Sequence, residues 1–228
     1  MDYFTVPVPW FIALPAALLA AGLLVDAGRR VDLAGFAGRD WLAPSIALAV
    51  AFAGWSLGPQ LGAEFKVRFL STALLTLLFG YTRALIMLSL VVLAHAAWHA
   101  PGTAAFGAGI GVNLLLHVIL PVWLMAWLCT QVKQRLPRNP LCFMLGCGLF
   151  AAFITLALQW AASTMLAIAF MPQSAAAFIQ VLPFALLFAW GEAFLGGMVI
   201  TILAVYRPAA VALYDEAHYL PMAPGGDA

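Results

Sequence analysis

Uncharged, apolar stretches of about eighteen residues or more recur along the chain, and no other feature narrows the choice of folds so far. Each can cross a hydrocarbon core of roughly 30 Å as a helix. In lipid a spanning segment must satisfy its own backbone N–H and C=O groups, so an open sheet is excluded. The predicted fold is therefore all-α, a polytopic membrane helix bundle in contact with the lipid bilayer. Only 8% of the residues are charged, against about 25% in soluble domains. A net charge of +1 without a basic arm gives no reason to expect nucleic acid as a partner.

Seven spans are predicted near Val6–Val25, Trp41–Leu57, Lys66–Phe79, Tyr81–Trp98, Thr103–Val132, Leu141–Phe170 and Phe178–Tyr206. Six is the alternative, because the run on both sides of Gly80 would be one helix of about 48 Å, too long for the core without strong tilt. Gly80-Tyr81-Thr82-Arg83 reads better as a tight turn. Lysine and arginine collect on the cytoplasmic side of a membrane protein. With the N-terminus outside, the inner loops hold Arg29, Arg30, Arg39, Arg83, Lys133, Arg135, Arg138 and Arg207, and the outer segments only Lys66 and Arg68. That bias predicts seven spans, an outer N-terminus and a cytoplasmic C-terminus. The N-terminal run lacks a basic region and carries Asp2, so it is expected to be a retained first helix. Residues 1–220 form one transmembrane domain in this reading, and 221–228 a polar tail.

Between Ala84 and Tyr206 the only charged residues are Lys133, Arg135, Arg138 and Glu192. The first three share one inner loop. Glu192, in "LLFAWGEAFLGGMVITILAVYRP", is thus alone at lipid depth, where a carboxyl is expected to face the bundle interior. His117 is its expected partner, mid-span in the fifth helix, with Asn113 one turn earlier on the same face. A structural clamp between helices and a proton or substrate role both fit these residues. Gly107 and Gly111, and Gly191, Gly196 and Gly197 around Glu192, would let helices approach closely.

His95 and His99 stand i, i+4 at the outer end of the fourth helix and could share a metal ion, with interfacial histidines as the alternative. Asp2 and Glu64 also lie on the outer side. Trp10, Trp41 and Trp98 are placed as interface anchors. Cys129, Cys142 and Cys147 give neither a disulfide framework nor zinc spacing. The chain has no H-E-x-x-H or Walker sequence and is not expected to be an enzyme.

Three stretches carry a family resemblance: "FKVRFLSTALLTLLFGYTRALIMLSLVVLAHA" with its T-A-L-L run closed by glycine, "GVNLLLHVILPVWLMAWL", and "GEAFLGGMVITILAVYRPAAVALYDEAHYL" with its V-Y-R-P end and short acidic tail. Together they cover about half the chain. In this order they resemble the CbiM/NikM-type permeases, the substrate-binding membrane components of cobalt and nickel energy-coupling-factor (ECF) ABC transporters, in their proteobacterial branch. The resemblance implies a seven-helix subunit of a bacterial inner membrane that takes a divalent transition metal, nickel or cobalt, as substrate on its outer side. It implies as partners a transmembrane coupling protein and cytoplasmic ATPases. In the family the metal is held by the N-terminal amine, a histidine after the first methionine, and a histidine starting the T-A-L-L helix. Here those positions carry Asp2 and Arg68, and a permanent guanidinium charge repels a cation. Arg68 is instead placed to attract an anion or to pair with Glu64. A relocated substrate site would draw on His117, Asn113 and Glu192. The alternative implied by the lost histidines is a non-transporting accessory or assembly subunit of a larger membrane complex.

Overall fold

The computed structural model describes residues 8–31, 42–56, 60–61, 65–66, 71–99, 104–170 and 175–219, without the side chains of 60, 61, 65, 66, 99, 104–108 and 175–178. Helix α1 is Trp10–Arg30 and α2 is Leu42–Ser56. Two short antiparallel strands follow, β1 at Gln60–Leu61 and β2 at Phe65–Lys66, with Gln60 opposite Lys66. Helix α3 is Thr72–His99. Helix α4, Ala104–Leu114, runs through a π-helical turn at Leu115–Ile119 into α5, Leu120–Arg135. Helix α6, Pro140–Phe143, runs through a second π-helical stretch, Met144–Ala151, into α7, Ala152–Phe170. Helix α8 is Ala175–Tyr206, and the tail carries a 3-10 turn at Pro208–Ala210 and a last turn, α9, at Glu216–Tyr219.

Among the described residues, five helical stretches are long and apolar enough to cross a membrane: Trp10–Arg30, Thr72–Trp98, Gly109–Arg135, Pro140–Phe170 and Ile179–Tyr206. At 15 residues α2 is apolar but shorter, about 22 Å at the α-helical rise. The outward faces carry large apolar side chains such as Leu187 and Leu195 of α8, 67% and 65% exposed, as a lipid-facing surface requires.

Gly80 does break the third apolar run. Its φ of 78° and ψ of 172° belong to a region open essentially to glycine alone, and two helical arms, 72–79 and 81–99, meet there. Helical carbonyls left open at such a corner need other donors. The tail supplies them: the N–H groups of Ala212 and Leu213 donate to the carbonyls of Leu78 and Leu77 at 3.1 and 3.2 Å.

The predicted third span, Lys66–Phe79, is corrected. Lys66 lies in β2, Ser71 has a φ of 52°, and helix begins only at Thr72. The first arm is therefore about 12 Å long, less than half a hydrocarbon core. Hydropathy missed this because the T-A-L-L residues are equally apolar whether they cross a bilayer or stop inside one.

Three interior clusters hold the bundle: the smallest joins α1 to α4 through Ala13, Ala16 and Val112, and two are larger. One joins α1, α2, α4, α5 and the second arm of α3 through Ala20, Trp55, Leu88, Val92 and Val118. The other joins the first arm, α5, the second π stretch, α8 and the tail through Leu77, Met125, Phe143, Cys147 and Ile200. The arms of α3 thus face mostly different neighbours. Close crossings use glycine: a Cβ at Gly111 would meet the Ala16 and Ala17 backbone of α1, and one at Gly197 would lie 3.0 Å from the Gly148 carbonyl oxygen.

Candidate functional site

The first arm of α3 starts beside Glu192. A cavity of about 280 Å³, whose rim at Leu195 belongs to the exposed face of α8, is lined by Glu192, Gly196 and Leu195 of α8, Ser71 and Leu74 at the start of α3, and Gly148 of the second π stretch, with residues of α2 and α7 on its other sides. Glu192 sits midway along the apolar length of α8. Its carboxyl accepts a hydrogen bond from the Ser71 backbone N–H, while its Oε1 is buried without a partner. Next to it in sequence, Thr72 is fully buried and its hydroxyl has no hydrogen-bond partner either. Thr76, one turn on, donates its hydroxyl to the Thr72 carbonyl at 2.7 Å.

A helix N-terminus carries unpaired N–H groups and about half a positive charge, so it suits a carboxylate. The first arm presents that end to Glu192 inside the bundle. The small residues make this possible: Gly196 meets Leu74 across the cavity, where a Cβ would lie 3.7 Å from the leucine's, and Gly197 and Gly148 bring α8 against the second π stretch. Gly191, by contrast, faces open space.

His117 lies elsewhere. Pro121 would bring its ring against the carbonyl four residues earlier, that of His117 itself, and the preceding turn is π-helical, the wider form found at helix disruptions and functional sites. From that turn His117 Nδ1 sits 3.0 Å from Gln159 Nε2 of α7. With the amide nitrogen donating, the ring proton resides on Nε2. The ring packs edge-on against Trp55, centroids 5.4 Å apart, and Trp55 in turn packs against His95 at 6.0 Å. Asn113 and Ser163, one turn from His117 and Gln159 along their respective helices, are 0% and 1% exposed. The fifth predicted span thus faces α7 through these polar groups, and the expected pairing of Glu192 with His117 or Asn113 is replaced by pairing with the Ser71 backbone.

His95 is not at an interface: it is 1% exposed and walled by Trp55 and by Phe52 at 6.4 Å. The side chain of His99 lies outside the described residues, as do Asp2, Glu64 and Arg68. Among the described residues no three His, Cys, Asp or Glu side chains converge in a way that could hold a metal ion. Gln159, Trp55 and Thr72 were not singled out in the sequence. Gln159 alone left a signal there, an amide at lipid depth one turn from a serine.

At the other end of the bundle a second cavity, about 850 Å³, lies between α5 and the tail and is lined by Cys129, Lys133, Phe143, Tyr214, Asp215 and Tyr219 among others. Lys133 Nζ is 2.6 Å from Asp215 Oδ2, and this hydrogen bond is the main reason the Asp215 carboxyl titrates below its ordinary range. Burial among the aromatic rings pushes the Tyr219 hydroxyl well above its ordinary range.

Comparison with protein-family models, with curated proteins and with solved structures finds no match for this chain.

Proposed function

We propose that the chain is the membrane-embedded substrate component of an ECF-type transporter of a bacterial inner membrane. The observation that carries this reading is the interrupted third helix. Backbone that leaves the helical ladder at membrane depth is tolerated only where protein or a cavity receives it, and carriers use such half-helices to present backbone groups to a substrate. Here the half-helix begins at the Glu192 cavity. The sequence resemblance supplies the rest: nickel or cobalt as substrate, and a coupling protein and ATPases as partners. A second reading, an accessory subunit that reuses the fold, is favoured by Arg68 at the family's histidine position and by the lack of a three-ligand group among the described residues.

Gentle detergent extraction from native membranes, followed by protein identification and elemental analysis of one sample, separates the two. An ABC-type ATPase with stoichiometric nickel or cobalt is the outcome expected of a transporter. A metal-free chain bound in an unrelated membrane complex would replace that reading with the accessory one.

A further inference from the structure

We infer that Glu192 is a proton-operated latch on the first arm of α3: ionised, it holds the arm's start through the Ser71 N–H, and on taking a proton it releases that hold. Four observations support the latch. The carboxyl lines a cavity, so it has room to turn. Oε1 is buried without a hydrogen-bond partner, so the Ser71 N–H is the carboxyl's one hydrogen bond among the described residues. The side chains facing Glu192 across the cavity, from α2, from the first arm, from the second π stretch and from α7, are valine, glycine, serine, alanine and leucine, without a titratable or charged group. On α8 itself the lining neighbours are leucine, glycine and valine. Among the described residues, therefore, no fixed cation faces the carboxyl.

The same surroundings select the ligand. A sodium or divalent ion needs about six oxygen ligands, and the positive end of a helix opposes it. An anion would meet the carboxylate. A proton needs only one lone pair on Glu192. In the exchange, hydronium from bulk water gives its proton to the carboxylate and leaves as water, and no other group is altered. Loss of the charge weakens the Ser71 hydrogen bond from charge-assisted to neutral and removes the attraction to the helix end.

The latch does not depend on the transport reading, since it concerns this chain's own backbone. It is tested on the full chain in lipid nanodiscs with the apolar carbodiimide DCCD, which adds to protonated carboxyls, and with hydrogen–deuterium exchange. The Glu192 adduct, read by peptide mass spectrometry, should rise on the order of tenfold per pH unit on the alkaline side of the transition, between about pH 9 and about pH 5. Exchange at the amides of residues 71–75 should quicken over the same range. E192Q should exchange at the acid-form rate at every pH. Should E192Q fail to fold, the wild-type labelling and exchange profiles decide alone. A pH-independent adduct yield, or arm exchange indifferent to pH in the wild type, would overturn the latch.

Discussion

At the scale of single residues, buried polar groups are set by what lies across from them. His117 is 6% exposed and depends on Gln159 for its Nδ1 contact. Gln159→Leu removes that contact without shortening the side chain much, and should destabilise the protein by about 1–3 kcal/mol, the usual cost of a deserted buried polar group. Thermal unfolding in detergent, followed by tryptophan fluorescence, checks it; an unchanged midpoint would show that the amide contributes nothing to the core. Gly197→Val places branched methyls where even a Cβ would be 3.0 Å from the Gly148 carbonyl oxygen. Over-packing of this kind costs roughly 1–3 kcal/mol, and a lowered midpoint in the same assay is the expected result, whereas Gly191→Val, with open space around it, should be neutral. The interior placement of Glu192, His117 and Asn113 was legible in the sequence because a polar side chain in an apolar run has few stable places to go. Their partners were not legible. Helical periodicity fixes which face a residue occupies, but leaves open which helix meets that face, so Ser71 and Gln159 emerged only from the packing.

At the scale of elements, the corner in α3 is the feature a sequence shows only by halves. Gly80 advertised a break, and the backbone has one. The arm before it was indistinguishable from a spanning helix, because its shortness comes from Ser71 and the strands upstream rather than from any polar residue within it. Gly80→Ala must put a Cβ into backbone space that alanine rarely occupies, at about 1–3 kcal/mol. The expected outcome is lower thermal stability together with faster amide exchange at Ala212 and Leu213, whose N–H groups depend on the corner. Exchange at those two positions that matched the wild type would separate the corner from the tail. The π turn before Pro121 follows the same logic: proline is read easily in a sequence, but the register it imposes on His117 is not.

At the scale of the whole molecule, the described helices gather around three interior clusters, and the arms of α3 lead from one of the two larger towards the other. The tail is fastened to this arrangement twice, at the α3 corner and through Lys133 and Asp215. The second fastening is sensitive to acid. The hydrogen bond from Lys133 lowers the Asp215 value in the folded protein, so its contribution is fully present above the ordinary aspartate value and fades as pH falls through the lower folded one. Proteolysis of the tail in detergent should therefore stay slow at neutral pH and accelerate only in strong acid, and Asp215→Asn should remove the acid-dependent step. An identical pH profile in that variant would assign the acid sensitivity to another group.

The tail's grip on the α3 corner also bears on how the protein is made. The carbonyls of Leu77 and Leu78 are made before their donors, Ala212 and Leu213, which follow in the chain only after α4 to α8. The corner thus stays open until α8 has been made, and helices can be threaded into the bilayer around it before it is sealed. A chain that stops short of Ala212 would insert its helices yet leave the seam unsewn, marked for removal by whatever surveys the membrane for incomplete proteins.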